Sequence, residues 1–232
     1  MTFPDLFDQF SLAILPPAIC DTMHLRFQSV ARYASARAGD APFTDNDRDQ
    51  IVFVASGSTK LVAHASQGRE QIVAFHFAGD LVTVPARGAH AYSLFALESC
   101  DLIYFPADDF FKLARSEAAM IGEVFDRAMR ALAGCREKTI SLGRKSAQER
   151  LASFLVTMAD RIGVAQDDGC VLDLPMSRRD IADSLGLTIE TVSRQLGDLR
   201  NAGLLETAGR SRITIRNFET LNACAGHLPE AA

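Results

Sequence analysis

The sequence lacks the features of membrane, secreted and disulfide-rich proteins. It has no continuous run of about 18 apolar residues, so we expect no membrane-spanning helix. The N-terminal segment MTFPDLFDQF has no basic region of the kind that opens a secretory signal. The five cysteines are widely separated and form no C-x-x-C pair, which argues against a disulfide framework or a structural zinc site. These absences predict a cytoplasmic location, reduced thiols, no metal and no membrane partner.

Signatures of common enzyme classes are missing as well. The sequence contains no phosphate-binding Walker loop and no glycine fingerprint for dinucleotides. A cupin-like metal site typically needs an H-x-H pair, which is absent, and Glu70 alone does not replace it. A cupin-like metal-binding protein is therefore the alternative from another functional class, and metal analysis of the purified protein would test it. We predict a protein that is not an enzyme and binds no cofactor.

A general excess of basic residues is also missing. The 24 lysines and arginines stand against 29 acidic residues, and the formal net charge is −5. This balance excludes a protein coated in positive charge for non-specific nucleic-acid binding. It does not exclude a local basic face.

The 232 residues divide by their sequence pattern into four segments. Residues 1–28 contain Pro4, Pro16 and Pro17, and we interpret them as an arm or short helix. Short runs rich in Val, Ile, Phe and Tyr then predict a β-roll or barrel, in which IVFVASGSTKLVAH forms two strands around a glycine turn. The predicted segments are an N-terminal arm at 1–28, a β-roll domain at 29–116, a long helix at 117–145 and a C-terminal domain at 146–232.

The long helix carries two apolar stripes. One follows a heptad-like pattern that Lys138 interrupts, and Phe125, Met129 and Leu132 form the other. A helix of this kind can pack on its own domain with one stripe and on a second copy with the other. The alternative is a single wide stripe facing the core. The predicted dimer seam consists of Ile121, Val124, Ala128, Ala131, Cys135 and Leu142.

The C-terminal domain contains the pattern of a helix-turn-helix. Ser146, with Glu149 three residues later, predicts a capping box that starts one helix, and GVAQDDGC predicts a loop. Further along, Ser177 can cap a helix that Gly186 ends in a left-handed turn, and Thr188 can cap the next helix. Two helices around such a turn have the length of a DNA-binding helix-turn-helix. The alternative is an ordinary helical hairpin.

The second of these helices presents polar residues near its N-terminal end. Glu190, Ser193 and Arg194 are spaced so that they share one face. Arginine can donate two hydrogen bonds to guanine, a carboxylate can accept one from cytosine, and a serine hydroxyl can serve either role. Glu190 can also pair with Arg194 and hold it in place. We therefore predict that these three residues contact DNA bases.

The segment NAGLLETAGRSRITIRN predicts two short strands around AGR, which is typical of the wing in a winged helix-turn-helix. Arginines there, with Arg216 a further candidate, would lie near DNA phosphates. Asp183 in the first helix would weaken binding if it faces the DNA backbone, because its charge repels phosphate. The predicted backbone-contacting or supporting residues are Ser177, Arg178, Thr188, Thr191, Arg200, Arg210 and Arg212.

The chain resembles the CRP/FNR superfamily of bacterial regulators, and within it the FixK-like and FNR-like branch. The matching segments, in the family's order, are FAGD at 77–80, the long helix, GRKSAQERLASFL at 143–155 and GLTIETVSRQLGDL at 186–199. The resemblance implies an α+β fold with an N-terminal β-roll of the cyclic-nucleotide-binding type, a long dimerisation helix and a C-terminal winged helix-turn-helix. It also implies a homodimer that acts on palindromic double-stranded DNA together with RNA polymerase.

The branch uses an E-x-x-S-R pattern, which falls on Glu190, Ser193 and Arg194. Its usual target resembles TTGAT and its inverted repeat, a palindrome of the type TTGA-N6-TCAA. The CRP branch has an arginine before the glutamate, where this chain has Ile189, so the resemblance favours FNR-type half-sites. The role that it implies is activation of genes for low-oxygen respiration or nitrogen fixation.

Departures from the family concern the signal. The cassette that grips a cyclic phosphate is missing, because Asp80 stands in place of the family's glutamate and Arg87 is followed by Gly88 and Ala89. We therefore expect no cyclic AMP binding. Only Cys20 lies where an iron–sulfur member has clustered cysteines, so no such cluster is expected. A regulator gated by a small ligand, or by haem bound through a histidine, is the alternative, and the candidate haem ligands are His64, His76 and His90.

Overall fold

The computed structural model describes residues 2–43, 47–86, 88–166 and 169–226. Arg87, which entered the argument about a cyclic phosphate, lies outside the described residues. The chain divides into two compact units, with the boundary between Leu132 and Ala133. None of the helices in the described part of the chain is long and apolar enough to cross a membrane.

The first unit is built on two antiparallel sheets, as the prediction of a β-roll requires. The four-stranded sheet has the order β1-β7-β2-β5, and the three-stranded sheet has the order β4-β3-β6. A short 3₁₀ turn at Ser66–Gly68 precedes β4. The strands are β1 (Arg32–Ala36), β2 (Gln50–Ser56), β3 (Ser58–His64), β4 (Glu70–Phe77), β5 (Leu81–Val84), β6 (Ala91–Ala96) and β7 (Cys100–Pro106).

The strands β2 and β3 confirm the two strands predicted around a glycine turn, but they do not pair with each other. Each belongs to a different sheet, and Gly57 between them has a φ of 76°. A Cβ at this position would collide with the backbone oxygen of Ser99, so only glycine fits. The chain therefore changes sheet at Gly57.

Strand β2, inside the four-stranded sheet, is buried on both faces, which explains its nearly continuous apolar run. Val52 and Val54 face a core shared with β3, β5, β6 and β7. The alternate residues Ile51 and Phe53 face a second core formed with the flanking helices. Aromatic rings fill this second core, and the centroids of Phe10 and Phe105 are 4.8 Å apart.

The N-terminal segment is part of this second core, so the interpretation of residues 1–28 as an arm was wrong and the alternative, a helix, describes the segment better. It forms two helices, α1 (Phe3–Ile14) and α2 (Asp21–Val30), and a third helix α3 (Ala107–Ala114) packs beside them. The spacing of the buried residues Leu6, Phe7, Phe10 and Ile14 places them on one face of α1. The prolines at 16 and 17 separate the two helices rather than preventing them.

The predicted long helix is confirmed as α4 (Ala118–Arg144), whose last turns belong to the second unit. Met120 is its only buried residue in the described chain. Val124 is half-buried and packs against the core of the first unit, whereas Phe125 is 61% exposed and Leu132 is 40% exposed. The exposed apolar face of α4 therefore includes the stripe of Phe125 and Leu132.

The second unit is a winged helix-turn-helix. Its four-stranded antiparallel sheet has the order β10-β11-β9-β8. The loop predicted over residues 163–170 was wrong in part, since β8 and the start of β9 occupy its two ends and pair in a hairpin. Together with the end of α4, the unit contains α5 (Ala147–Ile162), β8 (Val164–Gln166), β9 (Gly169–Asp173), α6 (Arg178–Leu185), α7 (Ile189–Asn201), β10 (Leu205–Ala208), β11 (Arg212–Ile215) and α8 (Phe218–Cys224).

Candidate nucleic-acid interface

The start of α6 is capped as the sequence predicts. The hydroxyl of Ser177 accepts a hydrogen bond from the backbone N–H of Asp180 at 3.2 Å, and the Asp180 carboxylate accepts one from the backbone N–H of Ser177 at 2.8 Å. This reciprocal pair is a capping box, which satisfies N–H groups that a helix leaves unpaired at its first turn. It fixes where α6 begins.

The turn between the helices has the predicted left-handed glycine. Gly186 has a φ of 61° and a ψ of 41°, and its N–H donates to the carbonyl of Ala182. The next helix begins at once, because the Thr188 hydroxyl accepts from the backbone N–H of Thr191 at 3.1 Å. The inner face of both helices is apolar and buried, and consists of Ile181, Ala182, Leu185, Val192, Leu196 and Leu199.

The three predicted base-contacting residues all lie on the first turns of α7. Glu190 and Arg194 are exposed and Ser193 is half-buried. The Arg178 side chain reaches across from α6 and donates a hydrogen bond from Nη1 to the Ser193 hydroxyl at 3.3 Å. Arg178 thus orients Ser193.

Glu190 takes its hydrogen bonds from the helix start and not from Arg194. The backbone N–H of Glu190 itself, then the hydroxyl of Thr188 and the charge of Arg179, lower the pKa of Glu190 below its usual range. The carboxylate is therefore ionised at neutral pH and can accept a hydrogen bond from a base. Among the described residues no ion pair joins Glu190 to Arg194, and such a pair stays a prediction.

The wing is formed by β10, β11 and the exposed turn between them, which carries Arg210. A shallow cleft between α6, α7 and the wing is lined by Arg178, Arg210 and Arg212 among others. One arginine from α6 and two from the wing therefore border one surface. Positive charge on such a surface is what binding of DNA phosphates requires.

Two wing arginines are already paired with carboxylates, and neither pair was predicted from the sequence. Arg212 donates from Nε and Nη2 to the two oxygens of Asp173 at 2.9 and 2.8 Å. Arg216 donates in the same way to Glu206 at 3.1 and 3.0 Å. These bidentate pairs offset the charge of both guanidinium groups. The first pair follows from the pairing of β9 with β11, because Arg212 lies directly opposite Asp173 in that register.

The remaining predicted residues occupy separate positions. Thr191 lies beside Thr188, with their hydroxyl oxygens 3.0 Å apart. Arg200 is exposed in the last turn of α7, far from the base-contacting end, and Asp183 is exposed on α6. Their contacts with DNA stay predictions.

In the first unit, Asp80 and His64, which were weighed from the sequence as parts of a ligand site, have hydrogen-bonding partners within the chain. Asp80 accepts a hydrogen bond from the backbone N–H of Phe77 at 2.8 Å, so its carboxylate closes its own turn. His64 lies within 3.3 Å of Glu70 through Nδ1 and 2.9 Å from the Ser93 hydroxyl through Nε2. Over the ranges that the structure describes, no three or more His, Cys, Asp or Glu side chains are grouped so that they could hold a metal ion.

Comparison with known proteins identifies both units. Residues 34–117 match the cyclic nucleotide-binding domain family, and residues 149–224 match the Crp-like helix-turn-helix domain family. The chain is 32% identical over 198 residues to the nitrogen fixation regulation protein FixK of Bradyrhizobium diazoefficiens, with 83% of this chain and 84% of the relative covered. It is also 32% identical to the fumarate and nitrate reduction regulatory protein of Salmonella typhimurium, over 88% of this chain and 82% of the relative.

A solved structure supports the same assignment. The structure of FixK2 from Bradyrhizobium japonicum superimposes with a TM-score of 0.76 at 30% sequence identity, and covers 86% of this chain and 100% of that one.

Proposed function

Because the chain belongs to the CRP/FNR superfamily of bacterial transcription regulators, we propose that it is a sequence-specific regulator that binds an FNR-like palindrome, TTGA-N6-TCAA, as a homodimer without cyclic AMP. The observation that carries this proposal is the presentation of Glu190, Ser193 and Arg194 together on the first turns of α7. A helix-turn-helix contacts base edges from this end of its second helix.

The chemistry of these three side chains suits a half-site that contains a G·C pair. The Arg194 guanidinium can donate two hydrogen bonds to guanine O6 and N7, and the ionised Glu190 can accept one from cytosine N4. Ser193, oriented by Arg178, supplies a hydroxyl and a methylene for the adjacent pair. A carboxylate on a DNA-facing surface lowers non-specific affinity, so its value here is selectivity.

The exposed face of α4 supports the homodimer. It presents Phe125 at 61%, Ile121 at 49% and Ile140 at 51% exposure, and such large apolar side chains on one long helix are typical of an association surface. Val124 packs against its own unit, so we propose a seam that keeps the other predicted residues and adds Phe125 and Leu132. The predicted residues that remain are Ile121, Ala128, Ala131, Cys135 and Leu142. Two-fold symmetry of the dimer would match the palindrome.

The first unit supports independence from cyclic AMP. The Asp80 carboxylate, which stands in place of the family's glutamate, accepts a hydrogen bond from the backbone N–H of Phe77 and closes the turn after β4. Two relatives are named for the regulation of nitrogen fixation and of fumarate and nitrate reduction, and these names support a role in regulating genes for low-oxygen respiration or nitrogen fixation. We further propose that the protein activates such genes and engages RNA polymerase when it does so.

Fluorescence anisotropy with labelled duplexes tests this function. The protein as purified, in air and without an effector, is titrated against TTGAT-N4-ATCAA and against a scrambled duplex of equal composition, across a salt series. We expect tighter binding to the palindrome, with a Kd that rises steeply with salt because phosphate contacts release counterions. Equal affinity for both duplexes would contradict an effector-independent regulator of this specificity.

A further inference from the structure

Arg150 joins three backbone segments in the second unit. It lies in the first turns of α5, and each of its guanidinium nitrogens donates to a different carbonyl. Nη2 donates to Leu142 at 2.9 Å, Nε donates to Lys145 at 3.0 Å, and Nη1 donates to Leu185 at 3.0 Å. One side chain thus connects the end of α4, the α4–α5 link and the end of α6.

These carbonyls are ones that need a donor. The last four carbonyls of an α-helix have no partner within the helix, and both Leu142 in α4 and Leu185 in α6 lie within that last turn. A positive charge near the C-terminal end of a helix also interacts favourably with the helix dipole. Arg150 supplies a hydrogen-bond donor and a positive charge to the C-terminal ends of both α4 and α6.

The connection is close and rigid. A guanidinium is planar, so three bonds from its three nitrogens leave little freedom for the segments that it joins. A Cβ added to Gly186, the residue after Leu185, would lie 3.4 Å from Cδ2 of Leu142, which shows how near α6 comes to the end of α4. A second set of bonds runs from Lys145 Nζ to Ser153 Oγ at 2.7 Å and from Ser153 to the carbonyl of Ala225 at 3.0 Å.

We propose that Arg150 is a positioning residue that fixes the α6–α7 pair relative to the end of α4 and thereby sets the half-site spacing that a dimer accepts. The proposal rests on the proposed function, since it needs α4 to carry the dimer contact and α7 to contact DNA. Each base pair added to a spacer moves one half-site by about 3.4 Å and turns it by about 35° around the duplex axis. A rigid joint rejects such a change, whereas a loosened joint tolerates it.

Spacer variants of the palindrome test this inference. Anisotropy titrations use TTGAT-Nn-ATCAA duplexes with spacers of 3, 4 and 5 base pairs, together with the wild-type chain and the variant Arg150→Lys. Lysine keeps the positive charge, but its ammonium cannot reach three separate carbonyls in the same planar arrangement. Arg144→Lys is the matched control, because Arg144 is an exposed arginine in the last turn of α4.

We expect the wild type and Arg144→Lys to prefer the four-base-pair spacer by about tenfold or more, and Arg150→Lys to reduce this preference to about twofold. Thermal unfolding of each variant is recorded in parallel. Loss of stability alone lowers affinity for all three duplexes by the same factor. An unchanged spacer ratio in Arg150→Lys therefore overturns the inference.

A second measurement needs no DNA and separates the inference from the proposed function. Spin labels are attached to unnatural ketone side chains at two exposed positions, Glu137 in α4 and Asn201 in α7. They report the distance between these helices in the full chain, which is diluted with unlabelled protein. We expect a broader distance distribution in Arg150→Lys than in wild type and Arg144→Lys. If the wild type shows no preference for the palindrome, the proposed function fails, and the distance distribution alone tests the role of Arg150. A broader distribution in Arg150→Lys then supports positioning by Arg150. Distributions of equal width in the variant and the wild type overturn the inference.

Discussion

Arg194 and Arg210 are both exposed arginines of the candidate interface, but their positions predict different losses. Arg194→Ala would remove the proposed bidentate contact to guanine, so we expect the preference for the palindrome over a scrambled duplex to fall by about 1–3 kcal/mol. Arg210→Ala would remove the proposed phosphate contact from the wing, so affinity for both duplexes should fall together and the salt slope should decrease by about one. Anisotropy titrations at several salt concentrations measure both effects, and the same pattern in both variants would contradict these roles.

Asp173 restrains the charge of Arg212. The hydrogen bonds from Arg212 lower the pKa of Asp173 in the folded protein. The ion pair is therefore fully formed above the pKa that aspartate has in the unfolded chain. It is lost only when the pH falls through the lower pKa of Asp173 in the folded protein. At neutral pH the pair is intact. Asp173→Asn should therefore raise affinity for palindromic and scrambled DNA alike and steepen the salt slope by about one, because a cation is released to bind phosphate.

The control for Asp173→Asn is Glu219→Gln, which removes one exposed negative charge from α8 and frees no wing arginine. If the two variants change DNA affinity equally, the effect comes from net charge and the specific pairing with Arg212 has no part in it.

At the scale of elements, Gly186 determines how α6 ends. Its φ of 61° is unfavourable for residues with a Cβ, and the space beside it is limited by Leu142 at 3.4 Å. We expect Gly186→Ala to lower the free energy of unfolding by about 1–2 kcal/mol. Gly197→Ala is the matched control, because Gly197 lies within α7 with nothing within 4 Å of an added Cβ, and alanine is the better helix former by about 1 kcal/mol.

Chemical denaturation followed by circular dichroism measures both glycine variants. The two substitutions should move the unfolding midpoint in opposite directions. A Gly186→Ala protein as stable as the wild type would show that the left-handed turn is not required.

Elements specified by neighbouring residues could be predicted from the sequence, and elements specified by distant contacts could not. The caps at Ser177 and Thr188 and the glycine turn depend on residues within three or four positions of one another, so their pattern is visible in the sequence. The separation of β2 and β3 into different sheets depends on pairing with β7 and β6, which lie far along the chain. The hairpin of β8 and β9 was missed because β8 has only three residues and all of them are exposed, so it has no apolar alternation.

The same distinction applies to the candidate site. The spacing of Glu190, Ser193 and Arg194 on one helix face follows from helical geometry alone. Arg150 could not be selected in this way, because two of its three carbonyl partners lie eight or more residues away and become neighbours only in the fold. The spacing of the apolar residues in α1 indicates a helix that packs in the core. This pattern was not recognised because prolines lie close to it.

At the scale of the whole molecule, α4 presents apolar area that the described chain does not cover. Phe125→Asp places a charge in the middle of the proposed seam, and burying an unpaired charge is costly, so we expect the dimer to dissociate. Val164→Asp is the control, because Val164 is 62% exposed in β8 of the other unit. Sedimentation velocity should show a monomer for Phe125→Asp and a dimer for Val164→Asp, and a dimer for both would move the interface away from α4.

The paired arginines of the wing also bear on how such a protein searches a chromosome. Residence time on random DNA grows with the number of cations that are available to displace counterions from phosphates. Asp173 and Glu206 each occupy one wing arginine, and the chain as a whole is acidic at −5. Encounters with DNA of random sequence should therefore be brief. The search would then proceed by frequent release and rebinding more than by long sliding. Non-target DNA would hold fewer copies of the protein than it would if both arginines were unpaired.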